Sequence, residues 1–133
     1  MGFRETVKYE ITFGLIDGEQ VNLSYDEYYY KRAWMRYAKE YFNETGIYVS
    51  SIAYSNAHAL YHEDWGCPRH GEQSIVFHCT MNPEFVKDPE KYEEGILYIS
   101  KKIKEKFNQN TVNITKLKAD VEYITNKGEK ENE

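Results

Sequence analysis

The sequence predicts an α+β fold of the ferredoxin-like type, βαββαβ, with a four-stranded antiparallel sheet and both helices on one face. Three observations lead to it: a strictly alternating segment near the N-terminus, two well-marked helix starts, and further alternating segments around the second helix. A different α+β arrangement of the same elements is the alternative. We expect one domain over residues 1–126, followed by a disordered charged tail over 127–133.

The first strand is predicted over Thr6–Leu15, because apolar and polar residues alternate there without interruption. Ser24 followed by Glu27 forms a capping box, which predicts a helix running to about Asn43 and ending before Gly46. Four aromatic residues recur at helical spacing within it, as a buried stripe does: Tyr30, Trp34, Tyr37 and Tyr41.

The second half of the chain predicts two strands, a helix and a closing strand. Residues 47–62 and 73–81 are the two strands, and the turn-forming segment between them makes a long hairpin connection. Asp88-Pro89 marks the start of the second helix, with Asp as the cap and Pro at the first helical position. The last strand is Val112–Ile124, where the alternation changes phase near Thr115–Lys116 and thus predicts a β-bulge.

Composition restricts the classes of partner. The formal net charge of −5 is unfavourable for binding to a phosphate backbone, so we expect no nucleic acid partner. No apolar run approaches the roughly 20 residues of a membrane span, and no signal peptide is recognisable. Two cysteines are too few for a disulfide framework, so a reducing, cytoplasmic location is expected.

Several short segments resemble an uncharacterised family of small bacterial proteins known only as a domain of unknown function. The resemblance lies in the first strand (Glu10–Leu15), in a helix with Trp34, and in the later positions Phe42 and Gly46. Two more segments carry it, Gln73–Phe77 and Lys106–Gln109. It implies the same fold over most of residues 5–124 and implies no activity.

All four histidines and both cysteines of the chain lie between His58 and Cys79. Imidazole and thiol groups ionise near neutral pH and bind transition metals, so this stretch is the first place to expect chemistry. If the second strand turns its alanines toward the helices, a hairpin centred near Pro68 sets His58 opposite His78. The resulting candidates for ligand binding on the open sheet face are His58, His78, Glu10, Lys8 and Tyr54. Their other interpretation is a dimer interface or simple exposure to water.

The hairpin connection also offers nitrogen and sulfur atoms to a metal. His58 and His62 would stand about 13 Å apart on an extended strand, too far to share one ion. A zinc site would therefore use His62, Cys67 and His70, with Glu63 or Asp64. Because no C-x-x-C pair supports zinc, we expect no metal and no cofactor, and a tip shaped by Trp65, Gly66 and Pro68. Cys67 as a nucleophile beside a histidine lacks an identifiable third group.

These observations favour a non-enzymatic binding or assembly module that acts as a homo-oligomer. The oligomer would use the open sheet face or the helix surface at Tyr28–Tyr30, where one or two tyrosines must be exposed. The alternative is a small enzyme or ligand-binding protein with a histidine-containing site on that face, with or without zinc in the 62–70 hairpin.

Overall fold

A computed structural model describes residues 2–126, and the predicted tail at 127–133 lies outside them. In chain order the elements are β1 (Arg4–Gly14), α1 (Glu27–Thr45), β2 (Ile52–Ala59), a 3-10 turn (Glu63–Trp65), β3 (Glu72–Thr80), α2 (Pro89–Lys106) and β4 (Asn113–Val121). The strands form one antiparallel sheet in the order β2-β3-β1-β4. The predicted ferredoxin-like fold is confirmed. Within residues 2–126, no helix is both long and apolar enough to cross a membrane.

The core lies between one face of the sheet and the two helices. Trp34 of α1 stacks on Phe77 of β3 with ring centroids 4.6 Å apart, and Tyr92 of α2 lies 6.0 Å from Tyr9 of β1. Residues of β1 at every second position are buried in this layer: Tyr9, Ile11 and Phe13. The strict alternation in the sequence therefore identified the covered face correctly.

The helix ends follow the sequence signals with one shift. α1 begins two residues later than the Ser24–Glu27 box predicts, because the carboxylate of Asp26 caps it by accepting from the Tyr28 backbone N–H. Gly46 ends it in the left-handed conformation at φ 78°. α2 begins at Pro89 with Asp88 as its cap, as predicted.

A β-bulge in β2 separates two registers of its pairing with β3. Tyr54 pairs with Val76 and Ala57 pairs with Ser74, so β2 uses one residue more than β3 over this stretch. Asn56 adopts φ 62° there, and its backbone N–H donates to the Glu27 carboxylate at 2.9 Å. The bulge exchanges the two faces of the strand, so alanines after it point to the open face. The prediction that Ala57 and Ala59 face the helices is wrong for this reason.

The bulge predicted in the last strand is absent. β4 pairs with β1 in unbroken register from Arg4 opposite Val121 to Thr12 opposite Asn113. The change of phase has another cause: Leu117 lies opposite Lys8 on the open face, and Lys116 lies on the helix side. The Lys116 ammonium is 2.7 Å from a carboxylate oxygen of Glu93, which stabilises a lysine at that position.

Candidate functional site

Four of the five predicted ligand-binding residues come together on the open sheet face. Glu10 pairs directly with His78, and Nζ of Lys8 lies 3.5 Å from Oε2 of Glu10. The Tyr54 ring lies 4.4 Å from the His78 ring, centroid to centroid. These groups form a shallow polar row across the sheet.

His58 is not part of that row, and its predicted position opposite His78 is wrong. His58 pairs with Gln73, while His78 pairs with Ile52. The bulge at Asn56 turns His58 to the side of the sheet that carries Gln73. The two histidines therefore cannot act together on one ligand.

The hairpin after β2 is ordered by hydrogen bonds of its polar side chains. Nδ1 of His62 accepts from the Asp64 backbone N–H at 3.0 Å, and Sγ of Cys67 lies 3.5 Å from the Tyr61 backbone nitrogen. Trp65 is 79% exposed, and its ring lies 5.9 Å from the His62 ring, centroid to centroid. In the part of the chain from residue 2 to 126, no three His, Cys, Asp or Glu side chains are placed to hold one metal ion. The absence of a metal stays a prediction.

A large concavity lies at one end of the open face and is here called the Glu72 cavity. Its volume is about 1150 Å³, against about 280 Å³ and 450 Å³ for cavities at the opposite end of the sheet. Strands β1 and β3 form its floor, the hairpin forms one wall, and the loops after β1 and α2 form the other. The polar groups of floor and walls include Thr12, Asp17, Tyr61, Glu72, Ser74, Gln109, Asn110 and Asn113, and Val21, Leu60 and Trp65 give it an exposed apolar rim.

Glu72 and Tyr61 form a hydrogen-bonded pair in this cavity whose groups can take part in acid–base chemistry. The Tyr61 hydroxyl donates to Oε2 of Glu72 at 3.0 Å. Burial and this hydrogen bond to Glu72 raise the pKa of Tyr61, so the phenol keeps its proton near neutral pH. A carboxylate oriented by a neutral phenol can bind donors of a ligand or accept a proton.

Gly14 provides the space that Glu72 occupies. A Cβ atom at residue 14 would lie 2.2 Å from Oε1 of Glu72, so any side chain there would displace the carboxylate. The Gly14 backbone is held from the helix side of the sheet, because the hydroxyl of Tyr30, a buried residue of α1, donates to the Gly14 carbonyl oxygen at 2.8 Å. Glycine is needed here for close approach.

Asp17 organises the loop that forms the far wall. Its carboxylate accepts from the Tyr25 hydroxyl at 2.6 Å, from the backbone N–H groups of Glu19 and Gln20, and from the Asn108 amide. These donors, led by Tyr25, hold the pKa of Asp17 at about 2. The carboxylate is fully engaged within the protein, so its role is to shape the cavity.

The depressed pKa of Asp17 gives a pH prediction. Because protonation is harder in the folded state, the stabilisation by Asp17 is complete above the unfolded pKa near 4 and is lost as the pH falls toward about 2. We expect Asp17→Asn to lower the thermal midpoint at pH 6 and to approach the wild type by pH 2. A difference between the two midpoints that does not change between pH 6 and pH 2 would contradict this. Calorimetry of both proteins across that range measures it.

The sequence analysis missed the residues of the Glu72 cavity. One signal could have found Glu72: the outward positions His78, Val76 and Ser74 of β3 continue to it at every second residue. No local signal brings Gly14 or the loop after α2 to the same place, since they are distant in the chain.

Comparisons with known proteins identify related sequences and folds. A model of the SAM lyase family matches residues 4–125. A phage SAM lyase in complex with S-methyl-5'-thioadenosine has a TM-score of 0.50 and 16% identity, covering 87% of this chain and 88% of that one. A phage SAM lyase in the apo state has a TM-score of 0.53 and 14% identity, covering 91% and 94%. At these identities the structures show the shared fold alone. No curated protein matches the chain significantly.

The family match corrects two expectations. It names an enzyme family, so the preferred interpretation as a non-enzymatic module is wrong and the alternative of a small enzyme is the better one. The resemblance to a family of unknown function is corrected in the same way, because the matching family has a named activity.

Proposed function

Since this chain belongs to the SAM lyase family, we propose that it cleaves S-adenosylmethionine in the Glu72 cavity. The observation that carries the assignment to this cavity is the hydrogen-bonded pair of Tyr61 on its wall and Glu72 on its floor. A volume of about 1150 Å³ accommodates a nucleoside with its amino-acid chain. Glu72 and the net charge of −5 are also favourable for a cationic substrate.

The chemistry of the substrate limits what the protein must supply. When the bond between sulfur and the γ-carbon breaks, sulfur keeps the electron pair and leaves as neutral S-methyl-5'-thioadenosine, the compound bound in one solved phage SAM lyase. The four-carbon fragment can lose a β-proton to a base and form a carbon–carbon double bond. Alternatively, its own carboxylate attacks the γ-carbon and closes a lactone. Both routes balance without another reactant.

The residues of the cavity suit this leaving-group chemistry. The positive charge on sulfur disappears as the bond breaks, so an apolar surrounding stabilises the transition state relative to the bound cation. Leu60 and Trp65 supply exposed apolar surface at the rim. An exposed tryptophan ring can also stack on an adenine base. Glu72, oriented by Tyr61, binds donor groups of the substrate or accepts the β-proton.

The test is incubation of the purified protein with S-adenosylmethionine, followed by chromatography and mass spectrometry of both products. We expect S-methyl-5'-thioadenosine to form faster than in a control without protein. The four-carbon products of elimination and of lactone formation are isomers of equal mass, so proton NMR, which detects the vinyl protons of the elimination product, distinguishes the two routes. Release no faster than in the control would contradict the proposed function.

We further propose that the protein forms a homo-oligomer, as the sequence analysis expects. Support comes from apolar side chains on the open face, where Ile52 and Tyr54 are 63% and 49% exposed, and from exposed Tyr28 and Tyr29 on α1. Light scattering at high micromolar concentration should report a multiple of the monomer mass of 15.8 kDa. A monomer at that concentration would contradict this prediction.

A further inference from the structure

We propose that Gln109 is a substrate-binding residue, and that its Oε1 and Oε1 of Glu72 form an acceptor pair for the two ribose hydroxyls of the substrate. The inference rests on the proposed function, because it concerns the nucleoside half of S-adenosylmethionine. It assigns a role to a glutamine that lies just beyond α2, far in sequence from Glu72.

The orientation of the Gln109 amide is fixed by two backbone carbonyls. Its Nε2 lies 2.9 Å from the Ile16 oxygen and 3.1 Å from the Phe107 oxygen. Carbonyl oxygens only accept hydrogen bonds, so the nitrogen must face them and Oε1 must point the other way. Only 7% of Gln109 is exposed, which holds the side chain in this one arrangement.

The Oε1 atoms of Glu72 and Gln109 both lie beside Gly14. A Cβ atom at Gly14 would lie 2.2 Å from Oε1 of Glu72 and 3.2 Å from Oε1 of Gln109. The other Glu72 oxygen already accepts from Tyr61. Among the residues that the structure describes, no side chain or backbone group donates to either Oε1 atom. Two acceptors without a donor between them are complementary to a ligand that presents two donors.

The ribose diol is the group of the substrate that fits this pair. It presents two adjacent O–H donors, and carboxylates commonly accept hydrogen bonds from ribose hydroxyls. The diol is also retained in S-methyl-5'-thioadenosine, so the assignment can be tested with a stable compound.

The experiment measures the Kd of S-methyl-5'-thioadenosine by titration calorimetry for the wild type, Gln109→Met and the control Gln73→Met. Gln73 is exposed and lies on the helix side of β3, so its variant should bind as the wild type does. We expect Gln109→Met to weaken binding at least tenfold. The 2'-deoxy and 3'-deoxy forms of the compound complete a thermodynamic cycle. For at least one of the two deoxy compounds, removal of the hydroxyl should weaken binding less in Gln109→Met than in the wild type.

The outcomes separate the two proposals. Wild-type protein that does not bind S-methyl-5'-thioadenosine contradicts the proposed function and this inference with it. A second outcome is that the wild type binds normally, and that the loss of affinity caused by Gln109→Met adds to the loss caused by removing either hydroxyl. That result would overturn only the role of Gln109 and would leave the proposed function standing. If Gln109→Met fails to fold, Gly14→Ala replaces it, since a methyl group there would displace Oε1 of Glu72 and crowd Oε1 of Gln109. A folded Gly14→Ala protein with wild-type affinity also overturns the inference.

Discussion

Replacing Glu72 by glutamine should reduce the rate of S-methyl-5'-thioadenosine release about 100-fold or more, the usual cost of removing a positioned acid–base or charge-stabilising group. The substitution keeps the shape of the side chain and removes its charge. It also converts an acceptor-only group into one that can donate, which disturbs the hydrogen bond from Tyr61.

The matched control is Glu44→Gln, the same chemical change at an exposed position of α1. It should retain wild-type activity, and both variants should unfold at temperatures close to that of the wild type. Glu72 is half-buried and its contacts lie within the cavity, so its loss should affect activity much more than stability. A Glu72→Gln enzyme that keeps more than about a tenth of wild-type activity would place the reaction elsewhere on the open face.

Tyr61→Phe distinguishes orientation of the carboxylate from its direct participation. Removing the hydroxyl leaves Glu72 in place without its donor. We expect a smaller loss of activity than in Glu72→Gln. A loss as large as that of Glu72→Gln would mean that the two side chains act as one unit.

The fold could be predicted from the sequence because its signals are local. Alternation in β1, the cap at Asp88-Pro89 and the glycine at residue 46 each specify backbone structure within a few residues. The bulge at Asn56 has no such signal, because its left-handed conformation is supported by Glu27, 29 residues away in the chain. The positions of His58 and of the alanines depended on that bulge, so the predicted site failed where a tertiary contact decided the face.

The Glu72 cavity could not be predicted because it is built by long-range convergence of ordinary residues. Gly14 ends one strand, Glu72 begins another, and Gln109 follows the second helix. Each has a common structural interpretation taken alone. The histidines and cysteines attracted attention by their type, yet the cavity is lined by carboxylate, phenol and amide groups instead. Only the sheet order, which sets β1 beside β3, brings those groups together.

The largest effect on stability is expected from Phe77→Ala. Phe77 is 1% exposed, stacks on Trp34 and meets the Phe13 ring edge-on at 5.9 Å. Loss of its ring removes buried apolar surface and leaves a cavity between the sheet and α1, at a cost of about 3–5 kcal/mol in the free energy of unfolding. Since domains of this size have a free energy of unfolding of only about 5–15 kcal/mol, this loss is a large fraction of the total stability.

Urea denaturation followed by tryptophan fluorescence measures this loss, and Phe85→Ala is its control. Phe85 is 70% exposed and its ring lies 5.4 Å from that of Tyr123, centroid to centroid, so its removal should cost less than about 1 kcal/mol. Equal costs for the two substitutions would contradict the position of Phe77 in the core between the sheet and the helices. Because β3 also carries Glu72, the Phe77 variant should lose activity at the temperature where it unfolds, whereas Glu72→Gln should lose most of its activity while still folded. That difference separates residues that hold the cavity in place from residues that act within it.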